Sequence, residues 1–486
     1  MLFMLIFINH DSNFSIQCKR IKKKAMFKSD VYINRRNRLH QIMKSGLAIF
    51  PGSVDVPMNY PSNCYRFRQD SDFLYFFGLD LPGFTGLMDF DTGKDILFGN
   101  DFEIGDIIWM GPQPKVGDLA ARCGVSLTEP LGKLESVVEE ALSRKRTIHF
   151  LPPYRAETKI LLASLLKDNP INMNSSPSLA LIRAVISMRS IKEKVEIEEI
   201  EKAEEIAREM HVTAMKMCRP GIKEQEIYGI IEGIALSRGA GTSFPVILTV
   251  NGQTLHNHSH DNILRKGRMM VTDAGAESKM HYASDITRTT PVGGLFSRKQ
   301  KEIYEIVLKA NTESIKAAGP GLSNLELHLS ACRIIASGLK DLGIMKGDVD
   351  EAVNAGAHAL FFPHGLGHML GLDVHDMEGL GEDYIGYNET IKRSTQFGLS
   401  SLRFALPFRP GHVLTIEPGC YFIPELLSLW KNDNLFSEFI NYQKAEDFMD
   451  VGGVRIEDNI LITDNGHKLL GKPIPKTPEE IESLVS

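Results

Sequence analysis

The stretch HGLGHMLGLDVHD, running from His364 to Asp376, carries three histidines in thirteen residues. His364 and His368 stand four apart, the offset at which a zinc-protease helix presents two ligands. That motif needs a helix and a glutamate directly after the first histidine. Here Gly365, Leu366 and Gly367 follow instead, disfavouring helix and supplying no base. A glycine-rich loop or strand edge that carries one metal ligand fits better, so the partners of that ligand must come from elsewhere in the chain.

Four carboxylates are candidates. Asp273 ends an apolar strand in RMMVTDAGA, and Asp285 follows twelve residues later in HYASDITRTTPV, a strand rich in threonine and isoleucine. Glu417 ends the strand of HVLTIEPG before a Pro-Gly stop. Glu457 is expected inside a strand of GGVRIEDNILIT, where a period of two sends Arg455 and Glu457 to one face. A carboxylate among β-branched residues must be exposed, paired or coordinating, because burying it alone costs too much. Each taken singly reads more simply as an edge-strand surface residue. Four converging beside a histidine cluster would repel one another, and a pair of divalent cations would supply the missing charge.

The elements that would position these groups belong to a chain of 486 residues, too long for one ordinary core, so two domains are expected. The apolar share of 43% and charged share of 24% are those of a globular protein. A formal net charge of −6 gives no whole-chain reason to expect a nucleic-acid partner. The local basic patch Lys19 to Lys24 lies in what reads as an extension. The opening run MLFMLIFI is far shorter than the ~20 residues that span a bilayer. Charge follows this run rather than preceding it, unlike a signal peptide. Residues 1–25 are therefore expected to be a poorly ordered extension before a protein that opens at Met26. Six cysteines, at 18, 64, 123, 218, 332 and 420, form no CxxC pair. They fit a reducing, cytoplasmic setting, read as small buried side chains, and fall at no metal-ligand spacing.

From Val31 a helix runs through RRNRLHQIMKSG to end at Gly46, and LAIFPG reads as a strand. RQDSDFLYFFGL, GFTGLMDFD and KDILFG have the short apolar runs of a sheet, and the alternation continues to about Pro177, an α/β pattern. The run Ser190 to Cys218 then changes character. Val195, Ile197, Ile200, Ala203, Ile206 and Met210 recur at threes and fours, an amphipathic helix that stops at Pro220-Gly221. We place the domain boundary just before it, dividing 26–185 from 186–486. Further helices over Lys299–Ala318 and Asn324–Leu342, followed by strands, repeat a helix–helix–strand order that hints at internal duplication.

The pattern resembles the pita-bread metallopeptidases, in the branch containing aminopeptidase P and prolidase. That family uses Asp, Asp, His, Glu, Glu in chain order as metal ligands. Asp273 of VTDAG, Asp285 of SDITRT, His368 of HGLGH, Glu417 of TIEPG and Glu457 of RIED match it in identity and order. RFRQDSDFLYFFGL resembles the creatinase-type N-domain signature, so the likeness spans about residues 28 to 475. It departs in residues 1–25 and in a longer segment, SLWKNDNLFSEFINYQKAEDFMDV, between IEPG and GGVRIED. The resemblance implies a creatinase-like α/β N-terminal domain followed by a pita-bread catalytic domain.

It also implies an Xaa-Pro aminopeptidase with two divalent ions, manganese first and cobalt or zinc as alternatives. Asp285 and Glu457 would bridge the ions, Asp273 would complete one shell, and His368 with Glu417 the other. Paired ions of this kind supply Lewis acidity and a nucleophilic hydroxide at neutral pH. Glu417 would shuttle the proton. His256 of LHNHSHDN and His375 of DVHD would act in catalysis, and His364 and Arg455 would hold substrate or product. His258 and His260, in the same loop, compete with His256 for its role. Prolidase, restricted to Xaa-Pro dipeptides, is the alternative within the enzyme class. A non-catalytic peptide- or protein-binding module of the same fold is the alternative outside it, and the intact ligand set argues against that. Family habit implies a homodimer that acts on proline-containing peptides, with no nucleic-acid or membrane partner.

Overall fold

A computed structural model describes residues 26–485, so the expectation for residues 1–25 lies outside the described residues. The first helix, Ser29–Ile42, ends short of Gly46, which instead turns into the first strand at φ +91°. The strands β1 (Leu47–Pro51), β2 (Thr85–Asp89), β3 (Lys94–Phe98), β4 (Leu127–Glu129) and β5 (Ile148–His149) form one sheet in the order β4-β3-β2-β1-β5. β1, β2 and β3 pair antiparallel, and the two edge strands pair parallel.

The expectation of a strand in RQDSDFLYFFGL is corrected. Ser71–Phe77 is a helix, capped by Asp70, whose carboxylate accepts from the backbone N–H groups of Asp72 and Phe73. Gly78 ends it at φ +68°, where an added Cβ would lie 2.2 Å from the Tyr32 ring. The run is buried all round and shows neither period, so a short aromatic helix cannot be told from a core strand by pattern alone.

Helix Leu179–Arg189 passes through residue 185 and ends in a buried ion cluster. Arg189 reaches Asp72 at 2.6 Å, Asp376 at 2.6 Å and Asp373 at 2.9 Å, while Lys192 reaches Asp376 at 2.9 Å. Arg189 thus ties the aromatic helix to the end of the histidine stretch, and Lys192 braces the same stretch at Asp376. Burial raises the Asp72 carboxyl to about 7, while the two cations hold Asp376 low against its own burial.

Beyond it come helices Lys194–Met217 and Glu224–Arg238, then β6 (Gly241–Thr242), β7 (Ile247–Thr249), β8 (Met269–Ala274), β9 (Ala276–Glu277) and β10 (Ile286–Pro291). A second pair, Arg298–Ala317 and Asn324–Asp341, precedes β11 (Val413–Ile416), β12 (Gly419–Tyr421), β13 (Gly453–Arg455), β14 (Asp458–Thr463) and β15 (Gly466–Leu469). Each helix pair is thus followed by a three-stranded antiparallel sheet, β10-β8-β7 and β11-β14-β15. The helix-helix-strand order of the sequence has this physical counterpart. An antiparallel bridge between Thr287 and Glu457 joins the two sheets.

The long segment after IEPG folds into helices Pro424–Asn432 and Tyr442–Glu446. Its Trp430 is buried between Phe397 and Phe436, at ring separations of 5.9 and 5.3 Å. No helix among the described residues is long and apolar enough to cross a membrane.

Candidate metal centre

Asp273 sits near the end of β8, Asp285 one residue before β10, and Glu417 directly after β11. Glu457 is not inside a strand as expected. It occupies the break between β13 and β14, where its N–H donates to Thr287 O at 3.0 Å and its carboxylate accepts from Thr287 Oγ1 at 2.7 Å. The break lets the chain leave one sheet and join the other, which a regular period of two does not foresee.

The histidine stretch runs as an irregular edge along β11. His368 N donates to Thr415 Oγ1 at 3.1 Å, Thr415 N to His368 O at 3.0 Å, and Met369 bridges Leu414. Gly367 permits this approach, since an added Cβ would lie 1.9 Å from Thr415 O. His368 Nδ1 is 3.0 Å from the Met369 carbonyl, which can only accept, so Nδ1 carries the proton. Its Nε2, the nitrogen left to take a cation, faces Asp285 Oδ2 at 3.4 Å and Glu417 Oε1 at 3.7 Å.

A ring nitrogen aimed at two carboxylates calls for a positive charge between them, which a proton or a metal ion supplies. Atoms sharing one ion at bond lengths of about 2.0–2.2 Å stand roughly 3–4 Å apart, the separations seen here. Asp285, His368 and Glu457 offer donor atoms that all lie within 4.8 Å of one another. Asp273 Oδ1 and Asp285 Oδ1 are buried without a hydrogen-bond partner. Burial, then Asp273 and Glu417, push the Asp285 carboxyl well above its ordinary range. Burial, then Asp285, does the same to Glu457, and burial raises Glu417. Hard oxygen donors, one imidazole and uncompensated negative charge all fit divalent cations.

One cavity of about 200 Å³ is lined by Asp273, Asp285, His368, Glu417 and Glu457 together with His256, His258, His364, His375 and Arg455. His260 instead turns inward, bonds to Leu248 O and stacks on Tyr228, which marks it as structural. His256 lies at the mouth, where partial loss of water and the Arg455 charge lower its pKa. His375 packs edge-on against His368 with ring centres 4.2 Å apart, and its Nδ1 lies 3.2 Å from Glu378. Phe244, Pro245, Ile247, Leu255 and Val374 form the apolar wall.

Arg455 is almost buried. It donates to Asp273 Oδ2 at 2.5 Å, to Tyr421 Oη at 2.9 Å and to Thr287 Oγ1 at 3.2 Å. His364 Nδ1 donates to Gly365 O at 2.8 Å, so its Nε2 accepts from Tyr421 Oη at 2.9 Å. A chain of donors thus runs from Arg455 through Tyr421 to His364. Burial, and then Arg455, bring the His364 pKa down to about 3, so this ring is neutral. Arg403 donates to Glu378 at 2.6 Å and steadies the carboxylate beside His375.

Tyr421, Thr287, Glu378 and Arg403 escape a sequence reading. Thr287 had a signal, standing two residues after Asp285 on the same strand face. Tyr421 had less, because the Pro-Gly break after Glu417 hides the register that pairs Gly419 with Arg455.

Comparison with known proteins fits this geometry. Residues 198–464 match the model of metallopeptidase family M24. The chain belongs to metallopeptidase family M24. Residues 32–149 match the aminopeptidase P N-terminal domain, giving this M24 enzyme its two-part plan. It is 33% identical to the human Xaa-Pro dipeptidase over 466 residues, covering 93% of this chain and 92% of the relative. It is 32% identical to the Escherichia coli Xaa-Pro aminopeptidase over 464 residues, covering 93% and 96%. The solved structure of E. coli aminopeptidase P with the inhibitor Pro-Leu is similar at TM-score 0.77 and 31% identity, covering 95% of this chain and 99% of that one. As an M24 metallopeptidase, the protein is a hydrolase.

Proposed function

We propose that this protein is an Xaa-Pro aminopeptidase, releasing the first residue of peptides whose second residue is proline. The observation that carries the reading is the convergence of five candidate metal ligands, four further histidines and Arg455 on one cavity with an apolar wall. Asp273, Asp285, His368, Glu417 and Glu457 would hold two divalent ions, which when bound supply Lewis acidity and lower the pKa of water. The hard, oxygen-rich shell suits manganese.

The protein's own groups do the remaining work. Glu417, 3.8 Å from His364 Nδ1, takes the proton of the attacking water and delivers it to the departing proline nitrogen. A proline amide carries no hydrogen, so recognition cannot use that bond, and Phe244, Pro245 and Val374 supply a surface for the ring. His256 and His375 line the same cavity and would contact the bound peptide. His364, neutral through burial and the Arg455 charge and held in place by its bonds to Tyr421 and Gly365, is an orienting group, and Arg455 fixes Asp273.

A homodimer in a reducing, cytoplasmic setting completes the reading. The five described cysteines are all free thiols. Helix Ile104–Met110 exposes Ile104, Ile108, Trp109 and Met110, an apolar face that a second copy would cover. Likeness to the human Xaa-Pro dipeptidase favours prolidase as the second reading. Hydrolysis of Ala-Pro-Ala beside Ala-Ala-Ala by manganese-loaded enzyme tests the substrate class. Cleavage of the proline peptide alone is expected, and equal cleavage of both would refute it.

A further inference from the structure

Outside the catalytic cavity, helix Asn324–Asp341 carries His328 and Cys332 four residues apart on one face. His328 Nε2 lies 3.5 Å from Cys332 Sγ. His358, in the 3-10 turn Ala357–Leu360, completes a group whose donor atoms all lie within 4.8 Å of one another. The left-handed Gly356, at φ +94°, ends the preceding helix and lets the chain turn back toward this face.

The three side chains are buried, at 0%, 0% and 1% exposure. His328 Nδ1 and both nitrogens of His358 make no hydrogen bond of ordinary geometry. An imidazole buried that way costs free energy without an evident return. An S–H···N bond from Cys332 to His328 would explain the 3.5 Å separation, yet it gives His358 no role. Burial lowers His328 to about 3 and His358 to about 4, in the latter case outweighing the pull of the Val353 carbonyl. Both rings are therefore neutral at pH 7, with lone pairs available.

We propose that His328, Cys332 and His358 bind a third metal ion, a thiophilic one, that clamps helix Asn324–Asp341 to the turn Ala357–Leu360. An imidazole nitrogen at about 2.0–2.1 Å and a thiolate at about 2.3 Å from one ion stand roughly 3.5 Å apart, the separation that His328 and Cys332 already have. On binding, the Cys332 S–H bond breaks, an S–metal bond forms and one proton leaves to solvent, while both imidazoles bind neutral. Zinc and cuprous copper share this chemistry. A cuprous ion with one thiolate gives a neutral site suited to full burial, whereas zinc leaves one positive charge and needs a further donor. The site is coupled to the catalytic cavity through Phe362, whose ring packs 5.5 Å from His328 and 4.8 Å from His364.

Full-length enzyme, loaded with manganese and desalted, would be analysed for metals beside Cys332→Ser and His358→Asn. About one zinc or copper per chain in the wild type, lost from both variants, is expected, and the element found identifies the ion. A second arm reads the wild type directly. Protein produced in cobalt-supplemented medium should show a near-ultraviolet thiolate-to-cobalt band, because the catalytic ligands contain no sulfur. Wild-type enzyme with neither zinc nor copper and no such band would overturn the proposal, as would a band that survives Cys332→Ser.

Discussion

Arg455 Nη2 lies 2.5 Å from Asp273 Oδ2, with the two side chains only 5% and 11% exposed. This guanidinium is drawn up against one of the four carboxylates of the cavity, and it also holds Tyr421 and Thr287. It keeps one ligand oriented while leaving Asp273 Oδ1 free of hydrogen bonds.

Breaking that pair should be costly. Arg455→Met leaves Asp273 without its partner, and the metal-free protein should lose about 3–5 kcal/mol of stability. Activity should fall roughly 10–100-fold, as for other groups that orient a metal ligand. Thermal midpoints with and without manganese check this, and metal should restore part of the loss.

Tyr421→Phe removes the hydroxyl that links Arg455 to His364 and little volume. Stability should change by about 1 kcal/mol. With His364 freed to reorient, KM for a proline peptide should move more than the thermal midpoint does. Steady-state kinetics beside a melting curve separate the two effects, and unchanged kinetics would deny the relay a role.

Glu417→Gln keeps the shape of the side chain but cannot carry a proton. Turnover should fall by about 10²–10⁴-fold while at least one metal ion per chain remains. Elemental analysis alongside the assay decides it, since wild-type turnover would contradict the proton-carrier role.

Acid sensitivity follows from neutral buried histidines. Burial, then Arg409 and Lys192, lower His412 to about 3, below an ordinary unfolded value of about 6.5. The unfolded chain therefore takes up a proton first as pH falls. Stability from this group is complete above about pH 6.5 and is lost downward at about 1.4 kcal/mol per pH unit. His412→Asn should flatten the fall of the thermal midpoint between pH 7 and 5 by one proton's worth, and an unchanged profile would refute it.

The cavity was legible in the sequence to the extent that its residues differ in kind from their neighbours. Asp273, Asp285 and Glu417 stand out as charges at the ends of apolar strands, and Gly365 and Gly367 rule out a helix at His368. What depends on the path of the chain was not legible. Glu457 lies in a strand break because two sheets meet there, and Ser71–Phe77 is a helix because Asp70 and Gly78 cap a run without a period. The group around Cys332 shows the same limit. The four-residue step from His328 is visible, but His358 arrives through the fold, and the cysteine spacings alone pointed away from metal.

Metal-dependent cleavage before proline is measured by giving metal-loaded enzyme Ala-Pro-Ala and Ala-Pro, each with and without a chelator. Alanine should be released from the tripeptide, with release abolished by the chelator and restored by manganese. Cleavage of the dipeptide alone would make the enzyme a prolidase, and no cleavage of either peptide with metal present would contradict a metal-dependent peptidase acting before proline.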